Sequence, residues 1–283
     1  MTDRDKIIFV YATPACGMSC GFCYSKVRVS KYNLSEEEIV DLVSRSKKYA
    51  FNAIGLTGGD PFGRKDIASL VEHLSSLSVK IRIDSNLLSY DLVKVKPIIK
   101  NLDLLGVPLD GPDAKIHDYN RDANGHFQLI YDNLLNIRTN FPDLKIKIHT
   151  VLTKRNIDKI YDMQRLIEEI LPNSWSIYKF FPAGVGYENK KYFEISNEEF
   201  ATFKKDFPNK IGRTIIDIPE DDVHDKSFLM VGSDGIVYGC FDEKKLQYQD
   251  FGRFDQNGIE NALAYYDEAK MFALADKEIG LKQ

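Results

Sequence analysis

Short hydrophobic runs alternate with amphipathic stretches over about the first 180 residues of the chain. Runs rich in β-branched and aromatic residues predict six strands, at residues 7–13, 53–57, 80–85, 102–109, 145–150 and 175–181. Apolar residues at helical spacing predict helices between them, after a capping box at residues 35–38 and over residues 67–77, 92–100, 127–140 and 157–171. This alternation predicts an α/β fold with a parallel sheet and right-handed crossovers. Six such units favour an open, three-quarter barrel over a closed barrel of eight strands.

The alternation of strands and helices ends near Pro182. Beyond it, Ser196 is a predicted N-cap of another helix, and a further helix is expected over residues 259–273. The Asp-Gly pair at residues 234–235 lies between two hydrophobic runs and predicts a hairpin of residues 228–231 with 236–240. Because no linker is evident, we expect residues 183–283 to form a small extension packed on a core of residues 5–182.

Composition adds little to this fold but excludes several classes of protein. Among 283 residues, 43% are hydrophobic and 28% are charged, which argues against disorder and collagen-like repeats. A net charge of −4 gives no field that attracts nucleic acid, so no nucleic-acid partner is expected. No run approaches the roughly 18 apolar residues of a membrane span. The start of the chain is not a basic leader, so we expect no membrane partner and a cytoplasmic location.

Three of the four cysteines, Cys16, Cys20 and Cys23, follow the first predicted strand within eight residues. Their spacing admits three interpretations: small apolar residues on one helical face, a structural zinc site, or three ligands of an iron–sulfur cluster. A zinc site normally needs a fourth ligand in a paired spacing, and the sequence offers only the distant Cys240. That single thiol is also too few for a second cluster.

The C-x₃-C-x₂-C spacing, with Phe22 before the last cysteine, closely resembles the signature of the radical S-adenosylmethionine (SAM) superfamily. A second element, Gly58-Gly59-Asp60-Pro61, follows the second strand and resembles that family's Gly-Gly-Glu-Pro, with Asp in place of Glu. The resemblance implies a partial (β/α)6 TIM-like barrel over the core. It also implies a 4Fe-4S cluster held by the three cysteines, and SAM bound to the fourth iron.

The same resemblance implies a set of residues that bind SAM. They are Tyr24, Gly58, Gly59, Asp60, Ser85, Asn86, Asp110 and Arg121. The glycines would leave room for their carbonyl groups to approach the SAM ammonium. Other interpretations stay open, because Asp60, Ser85 and Asn86 also suit strand-end turns and Arg121 suits a surface loop.

Alternation along the fifth strand directs Lys147 and His149 to the same side. Lys179 lies in an apolar run, where an ammonium without a counter-charge would be costly. We expect these three residues to contact an anionic group of the substrate. The alternative is a lysine on a loosely covered outer face of the barrel.

The resemblance implies an enzyme that reductively cleaves SAM to a 5′-deoxyadenosyl radical, which abstracts hydrogen from a small substrate. Residues 195–200, 219–222 and 227–230 are similar to viperin-type nucleotide dehydratases, although His149 and Ser176 replace the Asn and Lys expected there. A nucleotide substrate is therefore one expectation. The chain would also need an electron donor such as flavodoxin or ferredoxin.

Two other functions remain as alternatives. Residues 108–112, Pro-Leu-Asp-Gly-Pro, are common among members that modify a peptide or another small metabolite. A non-enzymatic metal-binding module is the third possibility. The second motif, residues 58–61, is the feature that argues against such a module.

Overall fold

A single sheet of eleven strands organises the chain in the computed structural model, which describes residues 5–24, 30–220, 226–242 and 247–279. Six neighbouring strands run parallel in chain order. They are β1 (Lys6–Thr13), β2 (Phe51–Gly58), β3 (Lys80–Asp84), β4 (Leu104–Pro108), β5 (Lys145–Leu152) and β6 (Ser174–Lys179). All six predicted strands are confirmed, each within two residues at either end.

Helices connect these strands. They are α1 (Glu36–Ser46), α2 (Ile67–Ser76), α3 (Leu92–Ile99), α4 (Ala114–Arg121), α5 (His126–Asn140) and α6 (Gln164–Ile170). The predicted capping box begins α1, since Ser35 accepts a hydrogen bond from the Glu38 N–H and the Glu38 carboxylate accepts one from the Ser35 N–H. The sequence did not predict α4, and residues Ile157–Met163 form a 3-10 helix ahead of α6. No helix within the described ranges is long and apolar enough to cross a membrane.

Residues beyond β6 extend the sheet at both edges. They form α7 (Val185–Glu188), α8 (Lys190–Phe193), α9 (Asn197–Asp206), β7 (Lys210–Ile211), β8 (Thr214–Asp217), β9 (Met230–Val231), β10 (Ile236–Asp242), β11 (Gln247–Arg253), α10 (Gly258–Leu263) and α11 (Glu268–Glu278). β8 adds in parallel to β6, and β9 adds in parallel to β1. The predicted hairpin is confirmed as the antiparallel pair of β9 and β10, with Gly235 in its turn at φ +78°.

The two faces of the parallel strands bury different groups. On β1, Ile8 and Val10 join the large hydrophobic core together with residues of the surrounding helices. The alternate residues Ile7 and Phe9 belong to a second hydrophobic cluster inside the barrel. Helix α11 contributes Leu274 to that inner cluster and packs against β1. The observed fold is the expected α/β partial barrel, with its extension supplying part of the interior.

The expected single helix over residues 259–273 is wrong, because the structure contains two helices there. α10 ends at Leu263, and Asp267 begins α11 by accepting hydrogen bonds from the N–H groups of Ala269 and Lys270. A side chain that satisfies the first N–H groups of a helix marks a new start even within an apolar pattern. The second helix therefore continues to Glu278, which brings a carboxylate into the barrel.

Candidate functional site

The three clustered cysteines lie in a loop of residues 14–24, here called the cysteine loop, which follows β1. Cys16 is exposed, Cys20 is buried and Cys23 is partly buried, and the Cys23 N–H donates to the Cys20 carbonyl at 3.2 Å. The interpretation as one helical face is wrong, because no helix forms between residues 14 and 23. Tyr24, at 38% exposure, is the last described residue before a gap.

The end of β2 packs against the backbone of the cysteine loop. The Gly59 N–H donates to the Thr13 carbonyl at 2.7 Å, and the Asp60 N–H donates to the Ala15 carbonyl at 2.9 Å. A Cβ atom on Gly59 would lie 1.8 Å from the Ala15 oxygen, and Gly58 has a φ of +113°. The space that a Gly59 side chain would need is thus filled by the backbone of the chain itself. Glycine is required here so that the loop can approach the strand.

Arg64 is a structural residue of this region that the sequence analysis missed. It is buried, and its guanidinium donates to the carbonyls of Ala12, at the end of β1, and Leu34. Asp66 pairs with the same guanidinium at 2.6 Å. These bonds fix the exit of β1 into the cysteine loop, and no periodic pattern in the sequence signals them.

Asp60 is buried at the end of β2, with 3% of its surface exposed. Its Oδ1 accepts a hydrogen bond from the Ser85 hydroxyl at 2.6 Å. Within the described residues its Oδ2 has no hydrogen-bond partner. Burial raises the pKa of this carboxyl group, and hydrogen bonding from Ser85, Phe62 and Ser89 opposes the rise. An unpartnered buried carboxylate oxygen suits an ammonium donor, so this position fits the amino group of SAM.

Ser85 and Asn86 end β3 in two local turns. The Ser85 hydroxyl accepts from the Leu87 N–H at 3.0 Å, and the Asn86 side chain accepts from the Leu88 N–H at 2.9 Å. The alternative of strand-end turns is therefore correct for their local structure. The Asn86 amide also donates to the Cys16 sulfur at 3.4 Å, which places this residue at the cysteine loop.

Asp110 and Arg121 lie together beneath the cysteine loop. Asp110 is fully buried after β4, and its Oδ2 pairs with Arg121 Nε at 2.6 Å. Arg121 Nη1 reaches the Cys20 sulfur at 3.9 Å, so this arginine does not lie in a surface loop. Burial raises the pKa of the Cys20 thiol, and the Arg121 guanidinium lowers it. A buried cation next to a thiol stabilises the thiolate form that ligates iron.

Lys147 and His149 lie on the same side of β5, as its alternation predicted, and the structure shows that this side faces the barrel interior. We expected a substrate anion at Lys147, but the anion there is a carboxylate of the chain itself. Lys147 Nζ donates to Glu278 at 2.9 Å, and only 1% of the residue is exposed. This corrects the expectation that Lys147 binds a substrate anion. His149 Nε2 lies 3.3 Å from the Asp84 carboxylate, and its ring stacks on Tyr178. Burial lowers the pKa of His149 and favours its neutral form.

The expectation that Lys179 contacts an anionic group of the substrate is also wrong. Alternation along β6 places Trp175 and Ile177 in the core between sheet and helices, and Lys179 shares their face. Its ammonium donates to the Asn197 side chain and lies over the Phe200 ring, both on α9. Lys179 therefore lies outside the barrel interior.

The interior holds two further charged residues from β3 that the sequence analysis missed. Arg82 pairs with Asp84 at 2.9 Å, with Glu278, and with His149 Nε2 at 3.0 Å. Gly106 on β4 makes room for them, because a Cβ there would lie 1.9 Å from Asp84 Oδ1. The alternation Lys-Ile-Arg-Ile-Asp over residues 80–84 is the signal that could have found them.

Changing Glu278 to Gln is expected to destabilise the fold strongly. The variant would leave the buried ammonium of Lys147 without its carboxylate, and breaking a buried pair costs about 3–5 kcal/mol. Thermal unfolding of wild type and variant measures the effect. Glu220→Gln is the matched control, since its pair with Lys204 is on the surface and contributes about 1 kcal/mol or less. Equal losses in the two variants would contradict this description of the interior.

The described residues contain no group of three or more His, Cys, Asp or Glu side chains that could hold one metal ion. A zinc ion would need its ligands to converge on one point at about 2.3 Å from each sulfur. Three separate irons of a cluster do not require this convergence. Three thiols in one loop are compatible with an iron–sulfur cluster in which each thiolate holds a separate iron. The side chain of Cys240 lies outside the described part of the chain.

Comparison with known proteins finds the model of the Radical SAM superfamily matching residues 10–167. An AdoMet-dependent heme synthase of Oleidesulfovibrio alaskensis is 23% identical over 63% of this chain, and the match spans only 46% of that enzyme's length. An S-adenosylmethionine-dependent nucleotide dehydratase of a Fibrobacter species is 24% identical over 84% of this chain and 78% of its own length. The crystal structure of Streptococcus suis SuiB bound to S-adenosylmethionine covers 96% of this chain and 68% of its own, with a TM-score of 0.68 and 14% identity.

Proposed function

Because the chain belongs to the radical SAM superfamily, we propose that its cysteine loop holds a 4Fe-4S cluster through Cys16, Cys20 and Cys23 and that SAM binds beside it. The chain is an enzyme of this family, and we propose residues 5–182 as its core and residues 183–283 as its extension. The observation that carries the proposal is the convergence of two strand ends and the last residue of helix α4 on one loop. Asp60 of the β2 end, Asn86 of the β3 end and Arg121 after β4 all contact it.

Cys16, Cys20 and Cys23 would hold the cluster, which when reduced would supply the one electron needed to cleave SAM into methionine and a 5′-deoxyadenosyl radical able to take hydrogen from a substrate. The chain's own residues position and protect the reactants. Asp60 offers its free oxygen to the SAM ammonium, and Arg121 stabilises the Cys20 thiolate. We also propose a flavodoxin- or ferredoxin-type electron donor. A cytoplasmic location fits, since the thiols must stay reduced.

We propose a nucleotide as the substrate. The nucleotide dehydratase supports this class because its match covers 84% of this chain, which is more than the core of residues 5–182 alone, whereas the heme synthase match covers 63%. In the interior, Arg82 and Lys147 are balanced by Asp84 and Glu278. That balance favours hydrogen bonding to an uncharged part of the substrate, such as a base or ribose, over binding of its phosphates.

His149 is the interior residue that we propose to contact the substrate. Its side chain is 17% exposed, and it lies between Asp84 and the Tyr178 ring. A neutral imidazole there can donate one hydrogen bond and accept another.

Substrate-dependent formation of 5′-deoxyadenosine tests the proposed class. The anaerobically reconstituted and reduced protein is incubated with SAM and with a panel of nucleotides, nucleosides and peptides. We expect a nucleotide or nucleoside to raise 5′-deoxyadenosine above the slow rate without substrate, and His149→Ala to lower this stimulation about 10-fold or more. Stimulation by peptides alone would contradict the nucleotide proposal while leaving the family's chemistry intact.

A further inference from the structure

A pair of buried histidines lies behind the strand ends that meet the cysteine loop. His117 is on α4 and His126 is the first residue of α5, with 0% and 3% of their surfaces exposed. His117 Nε2 and His126 Nδ1 are 2.9 Å apart, which is a hydrogen-bond distance. Neither ring contacts a cysteine in the described contacts, so the pair is not part of the ligand set itself.

Both outer ring nitrogens bond to the backbone of strand-end residues. The Asp110 N–H donates to His117 Nδ1 at 3.0 Å, and His126 Nε2 lies 3.0 Å from the Asn86 carbonyl oxygen. A backbone N–H can only donate and a carbonyl can only accept. His117 therefore carries its proton on Nε2 and donates it to His126 Nδ1, and His126 carries its proton on Nε2. The three bonds use all four ring nitrogens with one hydrogen each.

This chain of bonds joins the ends of β3 and β4. Asn86 contacts the Cys16 sulfur through its side chain, and Asp110 holds Arg121 against the Cys20 sulfur. The length of the two-ring chain therefore sets the spacing between these two residues. Sliding either strand end would break one of its three hydrogen bonds.

We propose that His117 and His126 are positioning residues, which hold Asn86 and Asp110 at the separation that SAM binding requires. This inference rests on the proposed function, because Asn86 directly, and Asp110 through Arg121, meet the loop that we propose to hold the cluster beside SAM. The two imidazoles touch neither SAM nor substrate in this proposal. Their effect is exerted wholly through the two strand ends that they join.

The arrangement also requires both rings to stay neutral. A proton added to either ring would place two N–H donors face to face in one of the three bonds. Burial lowers the pKa of His126 to about 4 and that of His117 to about 2, and the nearby Arg121 guanidinium adds to both effects. Asp118 acts weakly in the opposite direction on His126. The chain of three hydrogen bonds through His117 and His126 is thus intact at neutral pH.

SAM affinity of the reconstituted holoenzyme tests the proposal. His126→Phe keeps a ring but removes both hydrogen bonds, and His117→Asn keeps an acceptor near Asp110 but loses the contact with His126. We expect the Kd of SAM to rise about 10–100-fold in both variants, with iron content unchanged. His126→Gln, whose amide can donate to the Asn86 carbonyl, should recover most of the affinity.

A control variant separates positioning from loss of stability. Ile130→Val on α5 changes a fully buried core residue that takes no part in the hydrogen bonds of His117 and His126. It should therefore lower Tm but leave the Kd of SAM unchanged. If His126→Phe does not fold, His117→Asn alone decides the test. Unchanged SAM affinity in His117→Asn would overturn the inference. So would an equal loss of affinity in Ile130→Val. A wild-type protein that bound no SAM would overturn the proposed function as well, whereas the first two results would leave it standing.

Discussion

Replacing Cys16, Cys20 or Cys23 by Ala is expected to reduce the iron content of the reconstituted protein from about four atoms per chain to near zero. Each thiolate would hold a different iron, so losing any one of them exposes an iron to solvent and to loss. The loop agrees with shared ligation, since all three cysteines lie within it, the Cys23 N–H bonds to the Cys20 carbonyl, and Arg121 lies at the Cys20 sulfur.

The matched control for this experiment is Cys240→Ala, which should retain the full cluster. Iron and sulfide analysis, together with the visible absorption of the cluster, measures the result. About eight irons per chain in the wild type would indicate a second cluster. Retained colour in the Cys16, Cys20 or Cys23 variants would contradict the ligand assignment.

Replacing Asp60 by Ala is expected to weaken SAM binding by roughly 10- to 150-fold, the effect of losing one charge-assisted hydrogen bond of about 1.5–3 kcal/mol. The iron content should stay unchanged, because the Asp60 side chain bonds to Ser85 and not to a cysteine. Its second carboxylate oxygen is buried and forms no hydrogen bond of good geometry within the described chain, although Phe62 and Ser89 lie close enough to act on the carboxyl, so it can accept a charge-assisted bond from a cationic ligand.

Equilibrium binding of SAM to the anaerobic holoenzyme measures this effect. Asp60→Asn is the informative partner variant, since it keeps the size and the Ser85 contact but removes the charge. Asp41→Ala, an exposed residue of α1 paired with Arg45, controls for a general change in charge. Unaltered SAM affinity in Asp60→Ala would reduce Asp60 to a turn residue at the end of β2.

Local patterns predicted much of the fold because helix caps and strand alternation depend on residues that are close together in the sequence. The capping box predicted at Ser35 and the N-cap predicted at Ser196 depend on residues only three positions away, and both are present in the structure. The alternation of β5 correctly placed Lys147 and His149 on one face of the strand, and the contact with Glu278 shows that this face is the inner one. The same argument applied to β6 would have placed Lys179 beside Trp175 on the outer face, so that error was avoidable.

Long-range pairings could not be predicted in this way. Glu278 meets Lys147 from 131 positions away, and nothing near either residue indicates the other. His126 bonds to the carbonyl of Asn86, 40 positions earlier, through a contact that exists only once β3 and α5 are packed. The cysteine motif and the Gly58–Pro61 motif identified the family, while the contacts that hold the strand ends around the loop came only from the folded chain.

The most direct test of the central claim is the formation of 5′-deoxyadenosine by the reduced, reconstituted protein. SAM is added anaerobically with a strong reductant, and the products are separated and identified by mass spectrometry. We expect 5′-deoxyadenosine and methionine in equal amounts from the wild type, and neither product from Cys20→Ala. A wild-type protein that carries about four irons and binds SAM, yet releases no 5′-deoxyadenosine with any substrate of the panel, would contradict the assignment as a radical SAM enzyme.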